Sequence, residues 1–312
     1  MRGRDDRAVK VAIIGSAANE ATARLAAAWR EEGIDCALLS GADALRTLSP
    51  GDVAVTRLDV RPALDGVEDG LLSVLMLERS GVEVFNTVES LLRAHDKLRT
   101  ARVLEASFVP HPRTKHLTRA GALGRLRFPV VLKPRFGSWG RDIVLCENAG
   151  AAAARLAEFE SRPWFRRHGV LVQEAIPSPG HDLRVVVAGG RVVGAVKRTA
   201  APGEWRTNVS CGGTVEPVLL APEAAELART ATAVLGADLM GVDLMPLGGD
   251  RFVVLEVNAA VEFDETYSLP GMNVDLDAFE ALLRTSSRHV RAGRRVAPAT
   301  AVRTLRAEVV NG

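Results

Sequence analysis

Gly241-Val242-Asp243-Leu244-Met245-Pro246-Leu247-Gly248-Gly249-Asp250-Arg251-Phe252-Val253-Val254-Leu255-Glu256-Val257-Asn258 is the stretch that decides the fold. Two apolar runs flank a Gly-Gly-Asp turn, which predicts two antiparallel strands. Asp243, Glu256 and Asn258 stand inside those runs, where a buried strand ordinarily carries Val or Ile. Side chains alternate along a strand, so Glu256 and Asn258 share a face. A carboxylate in a core-like strand is costly unless something compensates it. Hard oxygen ligands from short side chains suit Mg²⁺, which takes one or two carboxylates and leaves positions for substrate phosphates. An ion-paired or exposed strand face would use the same residues, and the rest of the chain decides between the two.

The 312 residues, 47% of them hydrophobic, suffice for two or three subdomains with real cores. Lys and Arg number 40 against 38 Asp and Glu, a net charge of +2, which is no nucleic-acid signature. Cys36, Cys146 and Cys211 are odd in number and far apart. They form neither a metal spacing nor a disulfide framework, and they favour a reducing cytoplasm. No run reads as a signal peptide or reaches the length of a membrane helix, so a soluble cytoplasmic protein without a membrane partner is expected.

Upstream, strands at 9–15, 35–39, 52–55 and 82–86 alternate with helices at 21–32 and 68–80, which predicts a parallel sheet with helices on its faces. Gly15-Ser16 lacks the G-x-G-x-x-G spacing of a dinucleotide site. Residues 90–106 predict one helix. Strands at 128–134 and 142–146 and a helix at 149–159 follow, then a polar, basic loop at 160–169. From 170 the pattern turns antiparallel, with strands at 170–176, 182–188 and 191–198 and one helix at 222–235 before the final pair. The expected organisation is α/β: an N-terminal parallel α/β domain (1–93), a small central α+β subdomain (94–169), a C-terminal antiparallel α+β subdomain (170–285) and a basic tail (286–312). The arginines of that tail suit a solvated segment, or contact with an acidic partner.

The chemistry-bearing residues are cations, glycines and oxygen ligands. Lys133 ends a strand and is followed by Gly137-Ser138-Trp139-Gly140-Arg141. Glycines let backbone N–H groups approach phosphates, and an ammonium supplies point charge. The Walker spacing is missing, and a plain hairpin with a surface Lys would read the same way. Gln173-Glu174-Ala175-Ile176 suits an adenine hinge, with the acid on a ribose hydroxyl. Asp182 and Arg184 share a strand face, and Arg184, Arg198 and Asn208 could converge on anionic oxygens. No Ser, Cys or Thr lies in a nucleophile elbow, and His95, His111, His116, His168, His181 and His289 are scattered. This inventory suits phosphoryl transfer, where catalysis is positioning plus charge stabilisation.

In order, Asp96-Lys97, Leu132-Lys133-Pro134, the Gly loop, Gln173-Glu174-Ala175, Asp182-x-Arg184, Arg198, Asn208, Asp243 and Glu256-x-Asn258 resemble an ATP-grasp carboxylate–amine ligase. Within that superfamily the chain resembles the RimK-type branch. Gly137-Ser138-Trp139-Gly140-Arg141, and Glu256-Val257-Asn258 followed by Val261-Glu262-Phe263, are similar to the LysX/ArgX ligases. Those couple 2-aminoadipate or glutamate, through its amino group, to the C-terminal glutamate of a small acidic carrier protein, LysW.

The resemblance implies ATP and Mg²⁺ as cofactors, with two ions expected and Mn²⁺ as a substitute. It implies that Lys97 and Lys133 contact ATP phosphates and adenine-side atoms. The loop 137–143 covers the phosphates, and residues 173–176 take the adenine, with Glu174 or a neighbour on the ribose. Asp182 and Arg184 complete the nucleotide site. Asp243, Glu256 and Asn258 hold the metal. Arg198 and Lys133 stabilise an acyl phosphate, and Asn208 meets substrate or phosphate. Implied partners are an amino acid, a LysW-like carrier and further copies of the chain.

Two departures stand near the acceptor. Cys211 replaces the Arg of an Asn-x-x-Arg-Gly-Gly pattern, and Ala259-Ala260 replace the usual His-Thr or Ser-Ser. They leave the amino acid, the acceptor, and the choice between primary and secondary metabolism open. The alternatives are a RimK-type glutamate ligase with a cofactor or peptide acceptor, and a non-catalytic nucleotide-binding ATP-grasp protein.

Overall fold

The computed structural model describes residues 9–119 and 126–286. Among them the strands form three sheets. β1 (Val11–Ile14), β2 (Cys36–Leu39), β3 (Val53–Thr56) and β4 (Glu83–Phe85) make a parallel sheet in the order β2-β1-β3-β4. β1 and β3 are buried along their whole length, as parallel strands covered on both faces must be. α1 (Glu20–Glu31), capped by the Asn19 side chain, covers this sheet through Leu25 and Trp29. α2 (Gly41–Thr47), unanticipated from the sequence, and α3 (Leu71–Ser80) follow.

The predicted helix at 90–106 is two helices, α4 (Val88–His95) and α5 (Lys97–Ala106). Asp96 between them has extended backbone angles and caps α5 by accepting from the N–H groups of Leu98 and Arg99. Arg135 reaches the same carboxylate with two further bonds, at 2.7 and 2.5 Å. A long-range ion pair thus fixes the break and sets Lys97 on the first turn of α5.

The second sheet joins β5 (Thr114–Leu117), β6 (Val130–Pro134), β7 (Val144–Cys146) and β8 (Val170–Glu174), antiparallel, in the order β5-β8-β6-β7. α6 (Ala149–Glu160) packs on it. The loop expected at 160–169 contains α7 (Pro163–His168). Pro163 opens that helix where its missing N–H costs nothing. Trp164 and Phe165 are buried, Trp164 edge-on to Phe159 and donating to the Asp142 carboxylate at 2.8 Å.

The third sheet runs β11 (Thr214–Pro217), β10 (Arg191–Thr199), β9 (His181–Ala188), β12 (Leu239–Pro246), β13 (Phe252–Asn258), antiparallel throughout. Along β9 the buried residues alternate between two cores. Val185 and Val187 join α8 (Pro222–Leu235), whose Ala224, Ala228 and Ala231 allow close approach to the strands. Val186 and Ala188 face α9 (Val274–Thr285) and the N-terminal sheet. β9 is central and covered on both sides, which is why its run of valines lacks a polar face. Neither β5, β11 nor α9 was anticipated. The basic tail lies outside the described residues beyond Ser286. No helix among the described residues is long and apolar enough to cross a membrane.

Candidate functional site

The central and C-terminal sheets face each other across a cleft of about 510 Å³. The ends of β6 and β8 give it Lys133 and Glu174, and the segment after β8 gives Ala175 and Ile176. β9, β10, β12 and β13 give Asp182, Arg198, Asp243 and Glu256. A smaller cavity of about 130 Å³ is lined by Asp59, Ser138, Trp139, Asn258, Glu262 and Tyr267, among others. Arg198 and Asn208 line both spaces, so the two meet there.

The charges on the third sheet are cross-strand pairs. Arg198 lies opposite Asp182, Arg184 opposite Asp243, and Asp243 opposite Glu256. Arg198 donates to Asp182 from two nitrogens, at 2.8 and 2.5 Å, and to Asp243 at 2.9 Å. Burial alone would push the Asp243 carboxyl up, but the two guanidinium groups outweigh it and hold it well below the usual carboxylate range. A bulge between β12 and β13 puts Leu255 out of register beside Glu256. Glu256 accepts an ion pair from Lys97 at 2.8 Å, and Lys97 also donates to the Gly137 carbonyl. Lys97 therefore lies behind Glu256, away from the large cleft, tying α5 to the Gly loop.

Lys133 differs from every cation around it. It is 6% exposed and makes no side-chain hydrogen bond or ion pair among the described residues. Burial pushes its ammonium down to about 8, although Glu256 opposes the shift. A buried cation facing a cleft without a contact partner is the clearest mark of an anion site here.

The Gly loop docks on the turn that carries Asn208. Ser210 donates to the Trp139 carbonyl, and Arg206 to the Gly140 carbonyl. Trp139 adopts φ +62°, a left-handed conformation uncommon outside Gly, and is 49% exposed. Ser138 and Trp139 line the smaller cavity. Gln173 is held by Thr114 at 2.9 Å, and Glu174 by two bonds from Arg113. That ion pair, first through its hydrogen bond, lowers the Glu174 carboxyl.

The residues fit a divalent cation in donor chemistry. Asp243 and Glu256 are facing carboxylates, and the Asn258 side-chain nitrogen is buried without a partner. Exchanging the oxygen and nitrogen of that amide would put an acceptor in the orphaned position. Among the described residues no group of three or more His, Cys, Asp or Glu could hold a metal, so this set depends on an amide and on ligand oxygens. Asp59 and Tyr267 went unnoticed in the sequence. Asp59 lies only three residues past β3, and that charge directly after a buried apolar strand was the available signal.

Residues 94–282 match the model of the RimK-like ATP-grasp domain. A protein of Thioalkalivibrio sulfidiphilus named "Probable alpha-L-glutamate ligase" is 33% identical over 66% of this chain and 68% of its own length. A protein of the same name from Parasynechococcus marenigrum is 36% identical over 59% of this chain, which spans only 40% of that relative. The RimK domain ATP-grasp protein of Sphaerobacter thermophilus superposes with a TM-score of 0.65 at 24% identity, covering 90% of this chain and 100% of that one. The chain belongs to the RimK-like ATP-grasp family.

Proposed function

We propose that this chain is an ATP-dependent carboxylate–amine ligase, joining the amino group of an amino acid to an acceptor carboxylate. The observation that carries the proposal is Lys133, buried and without a contact partner, in one cleft with the facing carboxylates Asp243 and Glu256. A phosphate chain with a divalent cation complements both at once. Asp243, Glu256 and Asn258 would hold Mg²⁺, which when bound neutralises charge on the phosphates.

In this proposal the acceptor carboxylate attacks the γ-phosphorus of ATP, and the bond to the bridging oxygen breaks, releasing ADP and an acyl phosphate. Lys133 lies where it can offset the phosphoryl charge. Arg198 and Asn208 line both spaces, so they can meet the acyl phosphate at the junction. The amine nitrogen then bonds to the acyl carbon, the carbon–oxygen bond to phosphate breaks, and the amine gives up a proton. The products are the amide, ADP and phosphate. Ala175, whose N–H bonds the Pro129 carbonyl, holds the hinge segment at the cleft edge, where an adenine could lie.

Glutamate is the amino acid that the names of the relatives suggest. The acceptor proposed from the sequence is a LysW-like carrier, with a glutamyl cofactor or peptide as the other choice. Self-association is also proposed, and Leu72 and Met76, exposed one turn apart on α3, supply an apolar face for it. The test supplies ATP, Mg²⁺, a panel of amino acids and each acceptor in turn, and measures ADP and amide. Amide with one acceptor class identifies it. Nucleotide binding without ADP under every condition would favour a non-catalytic protein and end the ligase proposal.

A further inference from the structure

Phe108 stands where the fold asks for glycine. α5 ends in a Schellman turn: the N–H of Phe108 donates to the Glu105 carbonyl at 3.1 Å, and that of Val109 to the Leu104 carbonyl at 2.9 Å. The residue at the centre of such a turn takes a left-handed conformation, and Phe108 has φ +57°. Glycine is usual there because it has no Cβ, and a bulky side chain is strained. Leu104 and Val109 are both buried and make the apolar contact of the turn. The Phe108 ring adds nothing to that contact, since the residue is 93% exposed. An aromatic ring held in water on a strained backbone stabilises neither the turn nor the core, and its use lies in what it touches beyond them.

The ring borders a groove of about 530 Å³ between the end of α5 and the start of α8. Val109, Pro110, Pro222 and Leu227 give the groove an apolar floor, and Glu223 and Glu226 stand on its wall. Leu219, just before α8, is a further exposed apolar side chain. Glu105 lies one turn before Phe108. Glu226 pairs with Arg229, whereas Glu105 and Glu223 form no ion pair among the described residues. None of these residues lines either space of the candidate site. An apolar floor with acids beside it suits an apolar segment that carries cations.

This chain contains such a segment. Residues 287–312, outside the described residues, hold six arginines and one acid, Glu308, with Val302, Leu305 and Val309 among them. The described residues end at Ser286, whose hydroxyl donates to the Glu83 carboxylate at 2.5 Å. Glu83 lies near the far end of α8: burial, and after it the Glu83 charge, raises the carboxyl of Asp238, two residues past the Gly236 cap. α8 has 14 residues and is about 21 Å long. About seven extended residues therefore lead from Ser286 to the groove. The basic and apolar residues from Arg294 onward are left to occupy it, at the high local concentration that a tether confers. A second copy is the poorer occupant, because a two-fold contact would bring Glu105, Glu223 and Glu226 of both copies together.

We infer that the groove between α5 and α8 is the docking site of this chain's own segment 294–310, with Phe108 packing on its apolar side chains and Glu105 and Glu223 pairing with its arginines. The inference is independent of the ligase proposal. Photocrosslinking tests it on the full chain, with benzoylphenylalanine in place of Phe108. The expected product has monomer mass under denaturing conditions and joins position 108 to a residue between 294 and 310. Trypsin gives a second readout on the unmodified chain. Cleavage after Arg303 and Arg306 should be at least about tenfold faster in Phe108→Gly and in Glu223→Lys than in the wild type, the size expected when one anchor of a small interface is lost. Phe108→Gly should unfold at no lower urea concentration than the wild type, because glycine suits the turn, and this separates lost docking from lost folding. A crosslink to another chain, no crosslink into 294–310, or unchanged cleavage in both variants overturns the inference.

Discussion

Arg184 and Asp243 stand directly opposite each other on β9 and β12, joined by two hydrogen bonds of 2.7 and 2.8 Å. The register extends this pair on both sides, to Arg198 and Asp182 across β10 and to Glu256 across β13. A sheet buried on both faces accommodates these charges because each sits beside its complement. At the β13 edge the pattern changes: Glu256 is held by Lys97, while Lys133 across the cleft has no contact partner. The third sheet therefore matches its charges within itself, and the cation without a hydrogen-bond or ion-pair partner faces it across the cleft from β6.

Asp243→Asn removes the anion between two guanidinium groups, and a loss of about 3–5 kcal/mol in unfolding free energy is expected, since one partner of a buried pair is left uncompensated. The sign with pH follows from the lowered Asp243 carboxyl. Its contribution is fully present above the unfolded value near 4 and disappears as pH falls through the lower folded value. Urea unfolding of the wild type should weaken steeply below about pH 4, and the variant should show a flatter decline there.

Lys133→Met should separate stability from function. The ammonium is pushed from 10.5 down to about 8, mainly by burial. Below 8 the folded state bears the cost of a buried charge, roughly 3 kcal/mol from the size of that shift. Wild-type stability should rise as pH increases from about 8 to about 10.5, because the unfolded chain binds the extra proton there. The variant should lose that rise, be no less stable at pH 7, and bind ATP at least about tenfold more weakly, as measured by calorimetry. A variant that unfolds more readily yet binds ATP normally would give Lys133 a structural role.

The hairpin at 241–258 was legible in the sequence because period two and a Gly-Gly-Asp turn are local signals, and both strands form. The parallel sheet was legible because short apolar strands alternate with helices along the chain. The break at Asp96 was hidden, because an acid within a helical pattern looks ordinary until Arg135, far along the chain, reaches it. α7 was missed because its basic residues outnumber Trp164 and Phe165, which carry the packing. The edge strands β5 and β11 are four residues each, too short for a periodic signal. The order of Lys133, Asp243 and Glu256 could be read, but the ion pairs that use Arg184 and Arg198 depend on strand register. Asp59 joins Glu262 and Tyr267 only through the docking of the N-terminal sheet, which no local pattern encodes.

His95 provides a pH dependence separate from that of the acids. Its Nε2–H donates to the Leu58 carbonyl at 2.8 Å, and burial pushes the imidazole down to about 4. The folded state keeps it neutral while the unfolded chain protonates near 6.5. Stability should therefore fall by up to roughly 3 kcal/mol as pH drops from about 6.5 to about 4. His95→Gln keeps a donor for Leu58 and has no proton to gain. Its unfolding free energy should be lower at pH 7 through altered packing, but flatter across that window.

Glu256→Gln tests the cleft itself. The carboxylate stands between Lys97, at 2.8 Å, and the buried Lys133. Burial raises its carboxyl, but the two ammonium groups outweigh this and keep it ionised. The amide would leave two buried cations without their shared anion and would remove a charged ligand from the metal set. ADP formation with ATP and Mg²⁺ should fall at least about a hundredfold, of the order seen when one electrostatic group is lost from a preorganised site. Lys97→Met is the control, because it breaks the same ion pair and keeps the carboxylate. If the loss came from folding alone, both variants would lose activity in proportion to their stability. If Glu256 holds the cation, Glu256→Gln should need a higher Mg²⁺ concentration for half-maximal nucleotide binding, and Lys97→Met should not. An unchanged Mg²⁺ requirement in Glu256→Gln would remove this residue from the metal set.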